Sequence, residues 1–186
     1  MKPKITLADY QRAAAQLGCS AAIIMAVAEK ESAKGGFDTD GQLIKRFEPA
    51  YFKKLSGKTA GTYGDAYALD ADNALRATSW GQFQILGDNC EILGYANAKN
   101  MREAFDKTEI AHLNGFVSFV RKRNLTDELQ RLDFAGFAKV YNGPNFRINL
   151  YDTKLATLYL KYAKLYPSLN SAVPFKKKQQ LADSCR

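Results

Sequence analysis

The chain has 186 residues, 46% hydrophobic and 12% aromatic, which suits one globular domain with a sizeable core, or one domain with a tail. No apolar run reaches the ~18–20 residues that cross a bilayer, and the basic start Met1-Lys-Pro-Lys has no hydrophobic block behind it, so it does not read as a secretory signal. The net charge of +8 points to a polyanionic partner (nucleic acid, acidic lipid or cell wall) without choosing among them, while a single histidine, His112, with no second ligand beside it excludes the common zinc hydrolases.

In chain order, Thr6-Leu-Ala-Asp9 resembles a capping box that opens a helix through Leu17, ended by Gly18. Ser20 caps a second helix that carries Glu31 and stops at Gly35-Gly36. Residues 42–48 read as a short strand closed by Pro49, residues 55–70 as a long loop, and 72–76 as a short helix. Ser79 to Leu86 reads as a second short strand, ended by Gly87-Asp-Asn. The remainder is helical, with segments at 88–94, 100–105, 107–121, one or two over 129–141, and a last long helix over 145–165. After Pro167 the composition turns polar and basic, with Lys176-Lys-Lys178 and Arg186, and is expected to form an extended tail. The fold class is mainly α with a small β-element inserted after the Glu31 helix. Cys19 and Cys90 are expected in the core and Cys185 in the tail, too widely spaced for a disulfide framework.

Chemistry centres on Glu31. Ile24, Val27, Ala28 and Glu31 stand at i, i+3, i+4 and i+7, which places a carboxyl on the apolar face of its helix. A carboxyl held against apolar neighbours is disfavoured as an anion and keeps its proton nearer neutral pH, as a general acid must. Glu48 is the nearest candidate for a second carboxylate; its plainer role is a partner for Arg46 or a lysine. Trp80, the only tryptophan, lies in Ser79-Trp-Gly-Gln-Phe-Gln84, where an aromatic face and alternating amides suit a sugar, or equally a core. Tyr141-Asn-Gly-Pro144 is a sharp helix-ending turn. His112 is expected to be structural or on the surface. A Cys90–His112 nucleophile pair lacks a third orienting group.

Taken in order, Glu31-Ser32 with Gly35-Gly36-Phe37, Arg46-Phe-Glu48, Ser79-Trp-Gly-Gln-Phe-Gln84, Val140-Tyr-Asn-Gly-Pro-Asn145 and Tyr151-Asp-Thr-Lys-Leu155 resemble the N-acetylmuramidase family of phage endolysins. More distantly they are similar to goose-type lysozymes and lytic transglycosylases. The resemblance covers residues 6–163. It implies an α+β lysozyme-like domain, taken as 1–166, with a small β-hairpin or sheet beside the active-site cleft; composition alone gives the basic tail, 167–186. It implies Glu31 as catalytic acid. Glu48 would be the second carboxylate, matching a Phe-Glu position of the family. Ser32, Ser79, Trp80, Gly81, Gln82, Gln84, Tyr141, Asn142 and Tyr151 would be substrate contacts. No metal and no cofactor are implied.

Three readings follow. The first is an endolysin muramidase that hydrolyses the β-1,4 bond between N-acetylmuramic acid and N-acetylglucosamine. Its expected partners are peptidoglycan glycan strands, with tail contact to anionic outer-membrane lipid, no nucleic acid, and a monomeric state. It would stay in the host cytoplasm until a holin-type lesion admits it to the wall. The second is a lytic transglycosylase giving 1,6-anhydromuramic products. The third, of another class, is a non-catalytic wall or nucleic-acid binding module, against which stand the dispersed cations and the lack of a nucleic-acid-binding signature.

Overall fold

A computed structural model of the protein describes residues 2–169. The basic tail motif 174–178 and Cys185 lie outside them. Ten α-helices and a three-stranded antiparallel sheet are present among the described residues, the mainly α architecture read from the sequence.

The centre of the molecule is helix α2 (Ala21–Glu31), apolar on nearly every side, with Ala22, Ile24, Ala26 and Val27 wholly inaccessible. Helix α1 (Leu7–Leu17) leads into it. Thr6 and Asp9 form the expected reciprocal capping box, and Gly18 adopts a left-handed φ of 62° to end the helix. Ser20 caps α2 through its side chain, and the helix closes at Glu31, four residues before the glycine pair. Cys19 and Cys90 are buried free thiols.

Two departures from the sequence reading shape the cleft. The stretch 55–70 is not a long loop, and helix starts already at Pro49. The chain forms α3 (Pro49–Ser56) and α4 (Tyr63–Leu69), followed by α5 (Ala71–Arg76). The Gly, Thr and Asp residues that suggested a loop are the caps: Gly57 is left-handed at φ 72°, and Thr62 and Asp70 each accept a backbone N–H. These helices close over a small core of Phe52, Ala60, Ala66, Ala74 and Ala77.

Ser79 to Leu86 is likewise not one strand but a hairpin. Strand β1 (Lys45–Phe47) pairs with β2 (Thr78–Trp80), which pairs with β3 (Ile85–Leu86). The reversal between β2 and β3 uses left-handed backbone at Gly81 (φ 70°) and Gln84 (φ 46°). The register sets Arg46 opposite Ser79, and Ser79 opposite Leu86.

Helices α6 (Ala98–Lys107), α7 (Glu109–Lys122), α8 (Thr126–Arg131) and α9 (Phe134–Tyr141) complete the main core. The last long helix, α10 (Tyr151–Leu165), begins six residues later than expected, because residues 143–150 run as turns with Leu150 left-handed at φ 50°. Its closest packing is against α2.

Candidate active site

Glu31 is the last residue of α2, where the apolar helix meets a cleft of about 1110 Å³. The cleft runs between the sheet, α3, the α7 terminus and the α9–α10 turn. Glu31, Glu48, Ser79, Gln84, Tyr141, Asn142 and Tyr151 all line it. The structure therefore brings together seven of the eleven residues singled out from the sequence.

The carboxyl of Glu31 accepts a 2.5 Å hydrogen bond from the Tyr151 phenol, whose ring is wholly buried at the start of α10. Withdrawal from water raises the Glu31 pKa above the ordinary carboxylate value. The Tyr151 bond and the charges of Lys30 and Arg46 oppose that rise without cancelling it. The Lys30 ammonium lies 4.4 Å from the centre of the Tyr151 ring. Burial, and then the Glu31 charge, push the phenols of both Tyr141 and Tyr151 well above their usual range, so both remain neutral donors. Tyr141 donates to the Phe83 carbonyl at 2.7 Å, tying the α9 terminus to the hairpin turn.

Glu48 caps the start of α3 by position alone, with no side-chain bond to the helix. Its Oε1 instead accepts from Arg46 Nε at 2.7 Å, both groups being open to the cleft. Gln84 lines the cleft, but its amide donates to the Gly81 carbonyl at 2.8 Å and so braces the turn.

The other four residues do not reach the cleft. Trp80 is 2% exposed, donates its indole N–H to the Leu75 carbonyl at 3.1 Å, and meets the Tyr63 ring edge-on. It offers no face to a sugar. The pleat explains this: neighbours on a strand point to opposite sides, so when Ser79 faces the cleft with Arg46 and Leu86, Trp80 must face the core. Gln82 turns its amide to the Tyr10 hydroxyl, and Gly81 lies against the His112 ring. Ser32 caps α2 and bonds to the Gly35 carbonyl.

The sequence reading overlooked the cleft's basic residues and one buried acid. Lys30, Lys54, Arg123 and Lys154 join Arg46 on the walls. They come from four separate helices or their ends, so no run of charge marked them. Glu109 is 4% exposed and accepts from the backbone N–H groups of Gly36 and Ile5, at 2.8 and 3.2 Å. His112 is fully buried and structural. Its Nε2 donates to the Phe105 carbonyl at 2.7 Å, and Nδ1 accepts from the Gln82 N–H at 3.3 Å. Among the described residues there is no group of acids, histidines and cysteines arranged to hold a metal ion.

The pattern of the N-acetylmuramidase family matches residues 60–163 of this chain. The chain belongs to that family. This muramidase is thus a glycoside hydrolase that degrades peptidoglycan. The matched segment holds Ser79, Gln84, Tyr141, Asn142 and Tyr151, while Glu31 and Glu48 precede it. The muramidase also resembles the crystal structure of the endolysin of Burkholderia phage AP3, at 31% identity and a TM-score of 0.75, over 87% of this chain and 72% of that one. No curated protein matches the chain.

Proposed function

We propose that this endolysin hydrolyses the β-1,4 bond between N-acetylmuramic acid and N-acetylglucosamine, with Glu31 as the general acid. The observation that carries this reading is a carboxyl with a raised pKa, bonded to a buried tyrosine and open to a large cleft. Glu31 protonates the bridging oxygen as the sugar becomes cation-like, which lowers the barrier to departure of the leaving group. Tyr151 and Lys30 lie beside the carboxylate left behind and stabilise it. Water then attacks the cation, guided by Glu48. Ser79, Gln84, Tyr141 and Asn142 line the path of the glycan and contact its hydroxyl and N-acetyl groups.

Glu31→Gln keeps the shape and removes the proton. It should cost about 10²–10⁴-fold in wall lysis, the usual worth of a general acid. Turbidity clearing of purified walls measures the rate, and circular dichroism melting checks the fold. A variant that lysed walls at the normal rate would overturn the assignment.

One observation favours the transglycosylase variant of the chemistry. Glu48 already bonds to Arg46, which leaves Glu31 as the cleft carboxyl without a cationic hydrogen-bond partner. In that variant Glu31 acts as acid and then base, and the muramic 6-hydroxyl is the nucleophile. Mass spectrometry of the released muropeptides separates the two, since only the transglycosylase leaves 1,6-anhydro ends.

We take residues 1–166 as the catalytic domain and 167–186 as a basic tail that contacts anionic outer-membrane lipid, and the enzyme as a monomer. It stays in the host cytoplasm until a holin-type lesion opens the way to the wall. No single described helix is long and apolar enough to cross a membrane.

A further inference from the structure

The cleft carries five cations, Lys30, Arg46, Lys54, Arg123 and Lys154, against two carboxyls. Glu48 is taken up by Arg46, and burial disfavours the charged form of Glu31. Neutral polysaccharide has no use for such a surplus. A peptidoglycan strand differs from a neutral N-acetylglucosamine polymer in one respect that a cation can sense: its muramic side carries carboxylates, on the lactyl ether or on the peptide stem.

Arg123 is the best placed of the five to read one. It follows the last turn of α7, where its guanidinium donates to the Asn89 side-chain oxygen at 2.8 Å and lies 5.6 Å from the centre of the Phe119 ring. Asn89 is itself fixed, because its amide donates to the Leu86 carbonyl at 3.2 Å on the strand edge. Both partners of Arg123 are neutral. They orient the planar fork but leave its charge and most of its five N–H donors unused. Phe119 packs edge-on against Tyr141, 5.3 Å between centres, and Tyr141 feels the charge of Glu31. Arg123 and the acid thus line the same cleft, and Tyr141, which feels the charge of Glu31, packs on the ring beneath Arg123.

We propose that Arg123 binds a carboxylate on the muramic side of the substrate, and that this contact makes the cleft select acidic glycan over neutral glycan. The proposal rests on the muramidase reading above. A guanidinium held by an amide and a ring is pre-organised for a two-pronged bond to a carboxylate, which lysine does not match.

The test crosses an enzyme variant with a substrate modification. Soluble peptidoglycan strands are used native, or with their carboxyls converted to amides by carbodiimide and ammonia. Arg123→Gln should raise KM on native strands roughly tenfold, the scale of one charge-assisted hydrogen bond, with kcat little changed. On amidated strands the wild type should show the same rise, and the penalty of the mutation should shrink toward none. Lys122→Gln, one residue away and outside the cleft, removes the same charge and should leave both substrates unaffected. Strands stripped of their stems keep only the lactyl carboxylate. A penalty that persists on them assigns the lactyl group, and one that vanishes assigns the stem. Equal penalties for Arg123→Gln on native and amidated strands, or the same loss from Lys122→Gln, would overturn the proposal. A wild type that cut none of these strands would instead refute the muramidase reading.

Discussion

Glu31 is pulled in two directions, and on the proposed mechanism the balance sets the working pH. Burial raises its pKa; the Tyr151 hydroxyl, Lys30 and Arg46 lower it again. A general acid works while protonated, so activity falls as pH rises through its pKa. Tyr151→Phe removes the first of the opposing influences and leaves the ring in place. The alkaline limb of the pH–rate profile should therefore move to higher pH, and a limb that stayed put or moved down would refute the assigned partnership. Glu31 was legible in the sequence because a charged residue at i+7 of an apolar stripe is a rare conflict. Its partner was legible only through family resemblance, since Tyr151 lies 120 residues away. Trp80 was misplaced for a different reason. Composition marks an aromatic near amides as a sugar platform, but the face it takes depends on strand register, which sets Ser79 opposite Arg46.

At the scale of elements, the hairpin that carries Ser79 and Gln84 leans on His112. An added Cβ at Gly36 would come within 2.4 Å of that ring, and one at Gly81 within 2.9 Å. The imidazole thus joins the loop after α2 to the β2–β3 turn. Burial lowers its pKa to about 4, and its Nδ1 must stay unprotonated to accept from Gln82. The unfolded chain takes up that proton near pH 6.5. The stabilising effect of a neutral His112 is complete above pH 6.5 and is lost as pH falls toward about 4, a total on the order of 3 kcal/mol. Urea unfolding from pH 7.5 to 4 measures it. His112→Leu should be less stable at pH 7, having lost two hydrogen bonds, yet show a shallower decline over this range. An unchanged decline would assign the effect to other groups. The helices at 49–69 escaped the sequence reading because they are only seven and eight residues long. In helices so short the caps outnumber the apolar repeats, and cap residues are also turn residues. The hairpin escaped because Gln84 bends the chain in a conformation that side chains rarely adopt.

Across the whole molecule, the cleft holds five cations against two carboxyls, part of the +8 of the chain. Cations in the cleft attract acidic wall at a distance, and salt screens that attraction over about 10 Å at 0.1 M. A chain shortened after Leu169 should still lyse walls, and its rate should still fall as salt rises from about 0.05 to 0.3 M, because the five cleft cations remain. A shortened chain without salt dependence would assign the effect to residues 170–186, and one that did not lyse would move the domain boundary. Overall architecture was the most legible level, since helical periodicity and caps are local signals. Gathering the basic residues into one cleft was not, because each arrives on a different element. The pairing of α2 with α10 also has a consequence for timing. Tyr151 opens α10, and α10 packs along α2. A ribosome that has released Glu31 must translate 120 residues more before the phenol exists to bond it. On the proposed mechanism, the half-made chain has its acid but neither the tyrosine nor the α10 side of the cleft, and lytic capacity arrives only once α10 has been made.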